Sequence, residues 1–233
     1  MPFIRDSFVK QIERLGEAMA PDGTVLTLYR HDGDYSIRVA GVELMSTRRF
    51  HSEEQLAEVA CQRLRNRDAQ RVLIGGLGLG FTLKAALRTV AADAEVVVAE
   101  IVGEIIEWNR TPEWGLSADA LADPRVRLRH ADVAEVLRES PGAFDAIMLD
   151  VDNGAEALTT DRNAALYRAA GIRLAASALR PGGRVVYWSA DDDPAFEALL
   201  RKAGFTVHSV RSRAHRTCTY RHTLLVGDLP ATG

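Results

Sequence analysis

Little in this sequence points to cross-linking, metal binding or a strongly charged partner. The 233 residues include two cysteines, Cys61 and Cys218, which lie far apart and fit no metal-binding or redox spacing. We therefore expect both to be reduced, buried thiols, and we predict no metal site. The formal net charge is −3, so the chain as a whole has no strong attraction for nucleic acid or for a membrane surface.

Long apolar runs are also missing. No stretch is long enough to span a bilayer, and the first residues lack the basic-then-apolar layout of a signal peptide. These absences favour a cytoplasmic protein. The apolar content of 47% and the charged content of 26% are those of an ordinary globular protein, and the length suits one α/β domain with an appendage.

The most informative segment is a glycine-rich turn that follows an apolar strand. It reads Val72-Leu73-Ile74-Gly75-Gly76-Leu77-Gly78-Leu79-Gly80, and a helical pattern follows it. The next apolar run ends on Glu100, about 20 residues after the last glycine, as in dinucleotide-binding turns. Glycines let the backbone approach a ligand closely, and a carboxylate at a strand tip can accept both ribose hydroxyls. The segment therefore predicts a nucleoside-binding βαβ unit.

Residues 1–68 are predicted to form a small appendage of helices and a β-hairpin. Apolar residues near helical spacing over residues 3–20 predict an amphipathic helix. An Asp-Gly pair then predicts a hairpin turn, with strands at 24–30, 35–40 and 41–45. Ser52, followed by two glutamates, predicts the capped start of a helix that runs to about residue 67.

Residues 69–233 are predicted to form the main domain, because apolar strand patterns alternate there with helical ones. Strands are predicted at 71–75, 95–100, 125–129, 144–149 and 184–189, and helices at 79–91, 103–110, 133–139, 162–179 and 194–203. Such alternation predicts a parallel sheet with helices on both faces. The runs 205–212 and 222–227 have no helix between them and predict an antiparallel pair at the edge. The expected fold is α/β, a Rossmann-like seven-stranded sheet of the Class I methyltransferase type.

Ligands of such sheets bind beyond the carboxyl ends of the strands, so the strand tips are the places to search for a site. Acids stand at three successive tips, at Glu100, Asp132 and Asp150. An alternative role for Asp132 is that of a helix N-cap. The residues expected to contact a nucleoside cofactor are Gly75, Gly76, Leu77, Gly78, Gly80, Glu100, Ile101, Asp132, Val133 and Asp150.

The chain resembles the spermidine synthase family, the polyamine aminopropyltransferases and their methyltransferase-like relatives, from about residue 39 to residue 229. The matching motifs are the glycine turn at 75–80, the second strand end Ala99-Glu100-Ile101-Val102, the acidic loop at 150–154 and the Leu-x-Pro-Gly-Gly turn at 179–183. Asp132 matches an aspartate that holds the adenine amino group in the family. The resemblance implies S-adenosylmethionine or its decarboxylated form as cofactor, and a homodimer.

Two departures from the family pattern concern the transferred group and the acceptor. The family's glycine turn carries an aspartate that contacts the amine of the decarboxylated cofactor and repels a carboxylated one, whereas this chain has Leu77 there. The acidic loop is shifted, with Asp152 two residues after Asp150 and Asn153 where the second family acid belongs. Because a pocket for a polycationic amine needs acids, these departures favour methyl transfer over polyamine synthesis.

The chemistry needs few groups, since displacement at a sulfonium mainly requires positioning and exclusion of water. If the nucleophile is an amine, a carboxylate can take its proton. Asp150 is the first candidate for this catalytic role and Asp152 is the second, although Asp152 suits a loop-forming role equally well. Asn153 and Trp188 lie near strand tips and are candidates for the substrate pocket.

Three functions remain open from the sequence. The leading hypothesis is an S-adenosylmethionine-dependent methyltransferase that acts on a small molecule. The second is a polyamine aminopropyltransferase with an altered acceptor pocket, and the third is a non-catalytic nucleoside-binding protein. A small-molecule acceptor and a second copy of the chain are the expected partners, while nucleic acid and membrane are not.

Overall fold

The structure is a computed structural model that describes residues 11–64, 68–150, 165–213 and 221–231. Two β-sheets form its framework. The smaller sheet is antiparallel and contains four consecutive strands, β1 (Glu13–Met19), β2 (Val25–His31), β3 (Asp34–Val39) and β4 (Val42–Ser46). The larger sheet contains β5 (Arg71–Gly75), β6 (Glu95–Glu100), β7 (Val126–His130), β8 (Phe144–Leu149), β9 (Leu179–Ser189), β10 (Thr206–Arg213) and β11 (Arg221–Asp228).

The helices alternate with the strands of the larger sheet. They are α1 (His51–Cys61), α2 (Phe81–Thr89), α3 (Gly103–Arg110), α4 (Ala118–Leu121), α5 (Val133–Arg138), α6 (Ala169–Ala178) and α7 (Pro194–Lys202), with a short 3₁₀ turn at Pro112–Trp114. Within the described residues no helix is both long and apolar enough to cross a membrane.

The strand order in the larger sheet is β10-β11-β9-β8-β5-β6-β7. The strands β7, β6, β5, β8 and β9 run parallel, whereas β11 is antiparallel to both β9 and β10. The predicted seven-stranded, mostly parallel sheet is therefore confirmed. The chain leaves β5 towards β6 on one side and returns as β8 on the other, so the switch point for ligand binding lies where β5 ends.

Successive residues of the central strands point to opposite faces of the sheet and build two cores. Val72 and Ile74 pack on the face that also holds α1, α2, α3 and the smaller sheet, while Leu73 packs on the face that holds α5, α6 and α7. The smaller sheet and the larger one thus share a hydrophobic core. The division into units at residue 68 stays a prediction.

The helix predicted over residues 3–20 is wrong where the structure describes it, because Glu13–Met19 forms strand β1 and pairs with β2. The inward residues of this strand are small, since Gly16 lies against Trp108 and Ala18 is buried. The large apolar side chain of Met19 is instead 65% exposed. The spacing of the large apolar residues therefore did not identify the buried face of this segment. Pairing with β2 determined that the segment forms a strand.

Helix α1 also differs from its prediction. Phe50 is its N-cap and makes no side-chain cap bond, whereas the Ser52 hydroxyl donates to the carboxylate of Glu53 instead. The helix ends at Cys61 rather than near residue 67. Cys61 is a free, buried thiol, and burial raises its pKa to about 12. Cys218 lies outside the described residues.

Candidate functional site

A cavity lies at the carboxyl ends of β5, β6, β7 and β8, on the side covered by the smaller sheet. Its lining comprises Ala20, Leu26, Ile37, Leu44, Met45, Gly76, Gly78, Ala99, Glu100, Ile101, Val102, Ile105, Ala131, Asp132, Val133 and Asp150. The empty volume is about 720 Å³ including the solvent at its mouth, which is within the range of small-molecule sites. This is the switch point of the sheet, where the sequence predicts a nucleoside.

The glycine turn forms the floor of this cavity. Gly76 has a φ of +91°, which side chains disfavour, and its N–H donates to the Ala99 carbonyl at 2.9 Å. Gly78 also lines the cavity, whereas Gly75 and Gly80 do not. A Cβ at Gly80 would collide with the Ser117 side chain, so this glycine serves close packing.

Glu100 holds the turn in place. Its buried carboxylate accepts the Leu77 N–H at 2.9 Å and the Val102 N–H at 2.8 Å. Burial raises the pKa of the Glu100 carboxyl, and these backbone donors oppose that rise by favouring its charged form. The residue lines the cavity as well, so its predicted role on the ribose hydroxyls stays a prediction that the geometry allows.

Asp132 both caps a helix and lines the cavity. One carboxylate oxygen accepts the Ala134 N–H at 2.8 Å, which caps helix α5. The residue also lines the cavity, together with Ile101 and Val133. The capping alternative is therefore confirmed, and contact with the adenine amino group stays a prediction.

A smaller cavity continues from the first along the glycine turn. It is lined by Met45, Glu53, Gly76, Leu77, Gly78, Leu79, Phe81, Thr82 and Asp150. The two cavities share Met45, Gly76, Gly78 and Asp150, which gives them a continuous wall. Asp150, the first candidate for the catalytic base, thus stands where the two cavities meet.

Glu53 is a site residue that the sequence reasoning missed. It lies in the first turn of α1, far from any strand tip, and the sequence pattern marks it only as part of a helix start. The Ser52 hydroxyl donates to its carboxylate at 2.5 Å. Burial is the main cause that raises the pKa of the Glu53 carboxyl, and Glu54 nearby adds to the rise. Met45 of the smaller sheet was missed as well, since no motif marked it.

The charged side chains that the structure describes in the lining of the two cavities are all acidic. Their lining includes four acids, Glu53, Glu100, Asp132 and Asp150, and no lysine, arginine or histidine among the residues that the structure describes. In a partly enclosed site such a lining favours cationic groups over carboxylates. The site therefore suits a positively charged ligand.

Trp188, a predicted residue of the substrate pocket, is not brought into this lining. Trp188 packs on His222 at 4.6 Å between ring centroids, and its carbonyl accepts the Tyr167 hydroxyl at 3.1 Å. It lines neither cavity. Asp152 and Asn153 lie outside the described residues, so their roles stay predictions.

No family model matches the chain. Among curated proteins it is 34% identical over 88 residues to a polyamine aminopropyltransferase of Synechococcus sp. (strain JA-3-3Ab), covering 38% of this chain and 28% of that protein. It is 30% identical over 146 residues to a polyamine aminopropyltransferase of Leptospira biflexa serovar Patoc (strain Patoc 1 / Ames), covering 61% of this chain and 48% of that protein. The chain thus matches less than half the length of these relatives.

Solved structures show the same architecture. Spermidine synthase from Thermotoga maritima superposes with a TM-score of 0.71 at 19% identity, over 96% of this chain and 75% of that one. A probable spermidine synthase from Corynebacterium glutamicum ATCC 13032 superposes with a TM-score of 0.63 at 18% identity, over 93% and 79% of the two chains.

These relatives overturn the preference for methyl transfer. The curated proteins are named aminopropyltransferases and the structural neighbours spermidine synthases, so neither group supports a methyltransferase or unmodified S-adenosylmethionine. That preference rested on Leu77 in the glycine turn and on the shifted acidic loop, whereas Glu53 of α1 lines the same cavity as Leu77. In sequence and in fold, the chain is spermidine synthase-like, with the sheet of the Class I methyltransferase type.

Proposed function

We propose that this chain is an aminopropyltransferase that uses decarboxylated S-adenosylmethionine and an amine acceptor of the polyamine class. The observation that carries the proposal is the lining of the two connected cavities, with four acids and no basic side chain among the described residues. A cofactor carboxylate would meet only like charges there, whereas an ammonium group would be stabilised. The names of the curated relatives support the same activity.

The larger cavity is the proposed nucleoside site. Gly76 and Gly78 allow close approach of the turn, while Glu100 and Asp132 supply carboxylate oxygens for the ribose hydroxyls and the adenine amino group. Apolar residues of the smaller sheet, such as Leu26 and Ile37, cover the cavity and limit access of water. The larger sheet thus supplies the groups that bind the nucleoside, and the smaller sheet excludes water.

Asp150 is the proposed proton acceptor. Decarboxylated S-adenosylmethionine supplies an aminopropyl carbon that is already activated by the neighbouring sulfonium. When an acceptor amine forms a bond to that carbon, the bond from carbon to sulfur breaks and 5′-methylthioadenosine leaves. The nitrogen must then lose a proton, and a carboxylate at the junction of the two cavities can take it. Asp152 is the second candidate for this role.

The test is an activity assay with a defined cofactor and a panel of diamines. We expect release of 5′-methylthioadenosine, together with an aminopropylated product detected by mass spectrometry, only with the decarboxylated cofactor. Asp150→Asn should lower kcat by about 100-fold, whereas Asp191→Asn, beyond the tip of the next strand and outside both cavities, should not. Methylated product from S-adenosylmethionine, or no turnover with any diamine, would refute the proposal.

A further inference from the structure

Glu53 differs from the other acids of the site in its partners. Glu100 and Asp132 accept hydrogen bonds from N–H groups of other residues in the chain. The neighbouring Glu54 is paired with Arg88 at 2.7 Å. The carboxylate of Glu53 receives the neutral Ser52 hydroxyl, and among the described residues no lysine, arginine or histidine forms an ion pair with it. A partly buried carboxylate without a positive partner is unfavourable in the free protein.

The position of Glu53 is set by contacts between α1 and α2. The rings of Phe50 and Phe81 stack with centroids 4.4 Å apart and planes 13° apart. The Thr82 hydroxyl donates to the Glu53 carbonyl at 3.4 Å. These contacts fix the first turn of α1 against the first turn of α2, and so hold the Glu53 side chain in the wall of the smaller cavity.

Leu77 and Glu53 line this same cavity, which shares Gly76 and Gly78 with the nucleoside cavity. A short chain attached to the nucleoside therefore has a continuous path from one cavity into the other. With Leu77 in the turn, the acids of the smaller cavity are Glu53 from α1 and Asp150 from the end of β8. The cavity can thus offer one carboxylate for binding and leave the other for proton transfer.

We propose that the Glu53 carboxylate binds the ammonium end of the aminopropyl chain and selects the decarboxylated cofactor, in place of an acid at position 77. This inference rests on the proposed function. The ammonium supplies the positive partner that Glu53 lacks, whereas the carboxylate of S-adenosylmethionine would lie against a like charge. Glu53 is thus a specificity-determining residue, and it is contributed by helix α1 and not by the glycine turn.

The test measures dissociation constants by calorimetry for three ligands: decarboxylated S-adenosylmethionine, S-adenosylmethionine and 5′-methylthioadenosine, which lacks the aminopropyl chain. In Glu53→Gln we expect binding of the decarboxylated cofactor to weaken by about tenfold or more, because a hydrogen bond to a charged group is lost. Binding of 5′-methylthioadenosine should not change. Glu58→Gln is the matched control, since Glu58 lies on the same helix, is exposed and lines neither cavity.

A second variant tests whether the position of the acid can be exchanged. Leu77→Asp in the Glu53→Gln background should restore preference for the decarboxylated cofactor, provided that circular dichroism shows a folded protein. Leu77 is only 4% exposed, so Glu53→Asp serves as a milder variant, which keeps the charge and should keep the preference.

The outcomes separate this inference from the proposed function. If Glu53→Gln prefers the decarboxylated cofactor as strongly as the wild type does, the inference is wrong and the proposed function stands. If Glu53→Gln changes only the KM of the amine acceptor, Glu53 belongs to the acceptor site and the inference is also wrong. If the wild type binds S-adenosylmethionine as tightly as the decarboxylated form, the proposed function itself is wrong.

Discussion

Single carboxyl groups at this site have distinct tasks that follow from their partners. Glu100 is tied to the backbone of the glycine turn through Leu77 and to the start of α3 through Val102. Glu53 has a hydroxyl for a partner and stays available to a cation. Burial raises the pKa of both carboxyls, so each is costly to keep charged in the free protein. Such a cost is typical of residues whose charge serves a ligand.

Replacement of Glu100 is expected to weaken nucleoside binding. Glu100→Ala removes the acceptor of two buried N–H groups, each of which then lacks a partner at a cost of about 1–3 kcal/mol. We expect the turn to loosen and the affinity for 5′-methylthioadenosine to fall by about tenfold, measured by calorimetry. Glu95→Gln at the start of the same strand, where Glu95 pairs with Arg71 on the surface, is the control. Unchanged affinity in folded Glu100→Ala would contradict the assignment.

At the scale of elements, α1 is the part of the fold that brings Glu53 to the larger sheet, and a buried ion pair fastens it there. Arg184 of β9 donates to Asp228 of β11 at 2.7 and 3.1 Å, and to the Val59 carbonyl of α1 at 2.8 Å. Arg184 is 5% exposed and Asp228 is 9% exposed. One guanidinium therefore joins two strands and the helix that carries a site residue.

Loss of one member of this pair should be costly. Arg184→Met leaves the Asp228 carboxylate with the exposed Arg63 as its remaining arginine partner, at 3.0 Å, and we expect the free energy of unfolding to fall by up to about 3–5 kcal/mol. Urea denaturation followed by circular dichroism measures the change. The double variant Arg184→Met/Asp228→Leu should recover most of the stability, since no charge then stays buried. A loss below 1 kcal/mol in the single variant, within the range of a surface pair, would show that Arg63 and solvent compensate the Asp228 charge.

At the scale of the whole molecule, the site lies between two sheets that share a hydrophobic core, so neither sheet forms it alone. Large apolar side chains at or next to the smaller sheet remain exposed at Ile12, Met19, Val25 and Val42, with exposed fractions from 40% to 65%. Of these, Met19 and Val25 are partners in the register of β1 and β2, and adjoining exposed apolar side chains favour contact with another protein surface.

The predicted homodimer belongs to this scale. We expect a mass near twice the 25.5 kDa of the chain in sedimentation equilibrium, because an interface would cover apolar side chains that the single chain leaves exposed. The measurement should extend over a wide range of protein concentration. A mass of one chain throughout that range would contradict the prediction.

The sequence by itself determined the larger sheet and the strand-tip residues of the cavity. Its central strands are buried on both faces, so they appear in the sequence as continuous apolar runs. Glycines and acids mark the ends of these runs, and the strands therefore form where the sequence pattern predicts them. Strand β1 did not follow its local pattern, since its inward residues Gly16 and Ala18 are small and pairing with β2 set its conformation.

Only the tertiary structure decided which acids line the cavity beside the glycine turn. Leu77 belongs to the predicted site and carries no charge, whereas Glu53 is 24 positions earlier (77 − 53) and reaches the same cavity because α1 packs against α2. The charge of a cavity depends on the side chains of all the helices, strands and turns that line it. A motif read along one segment contains no information about a side chain contributed by another, and for that reason the sequence analysis favoured methyl transfer, which the relatives do not support.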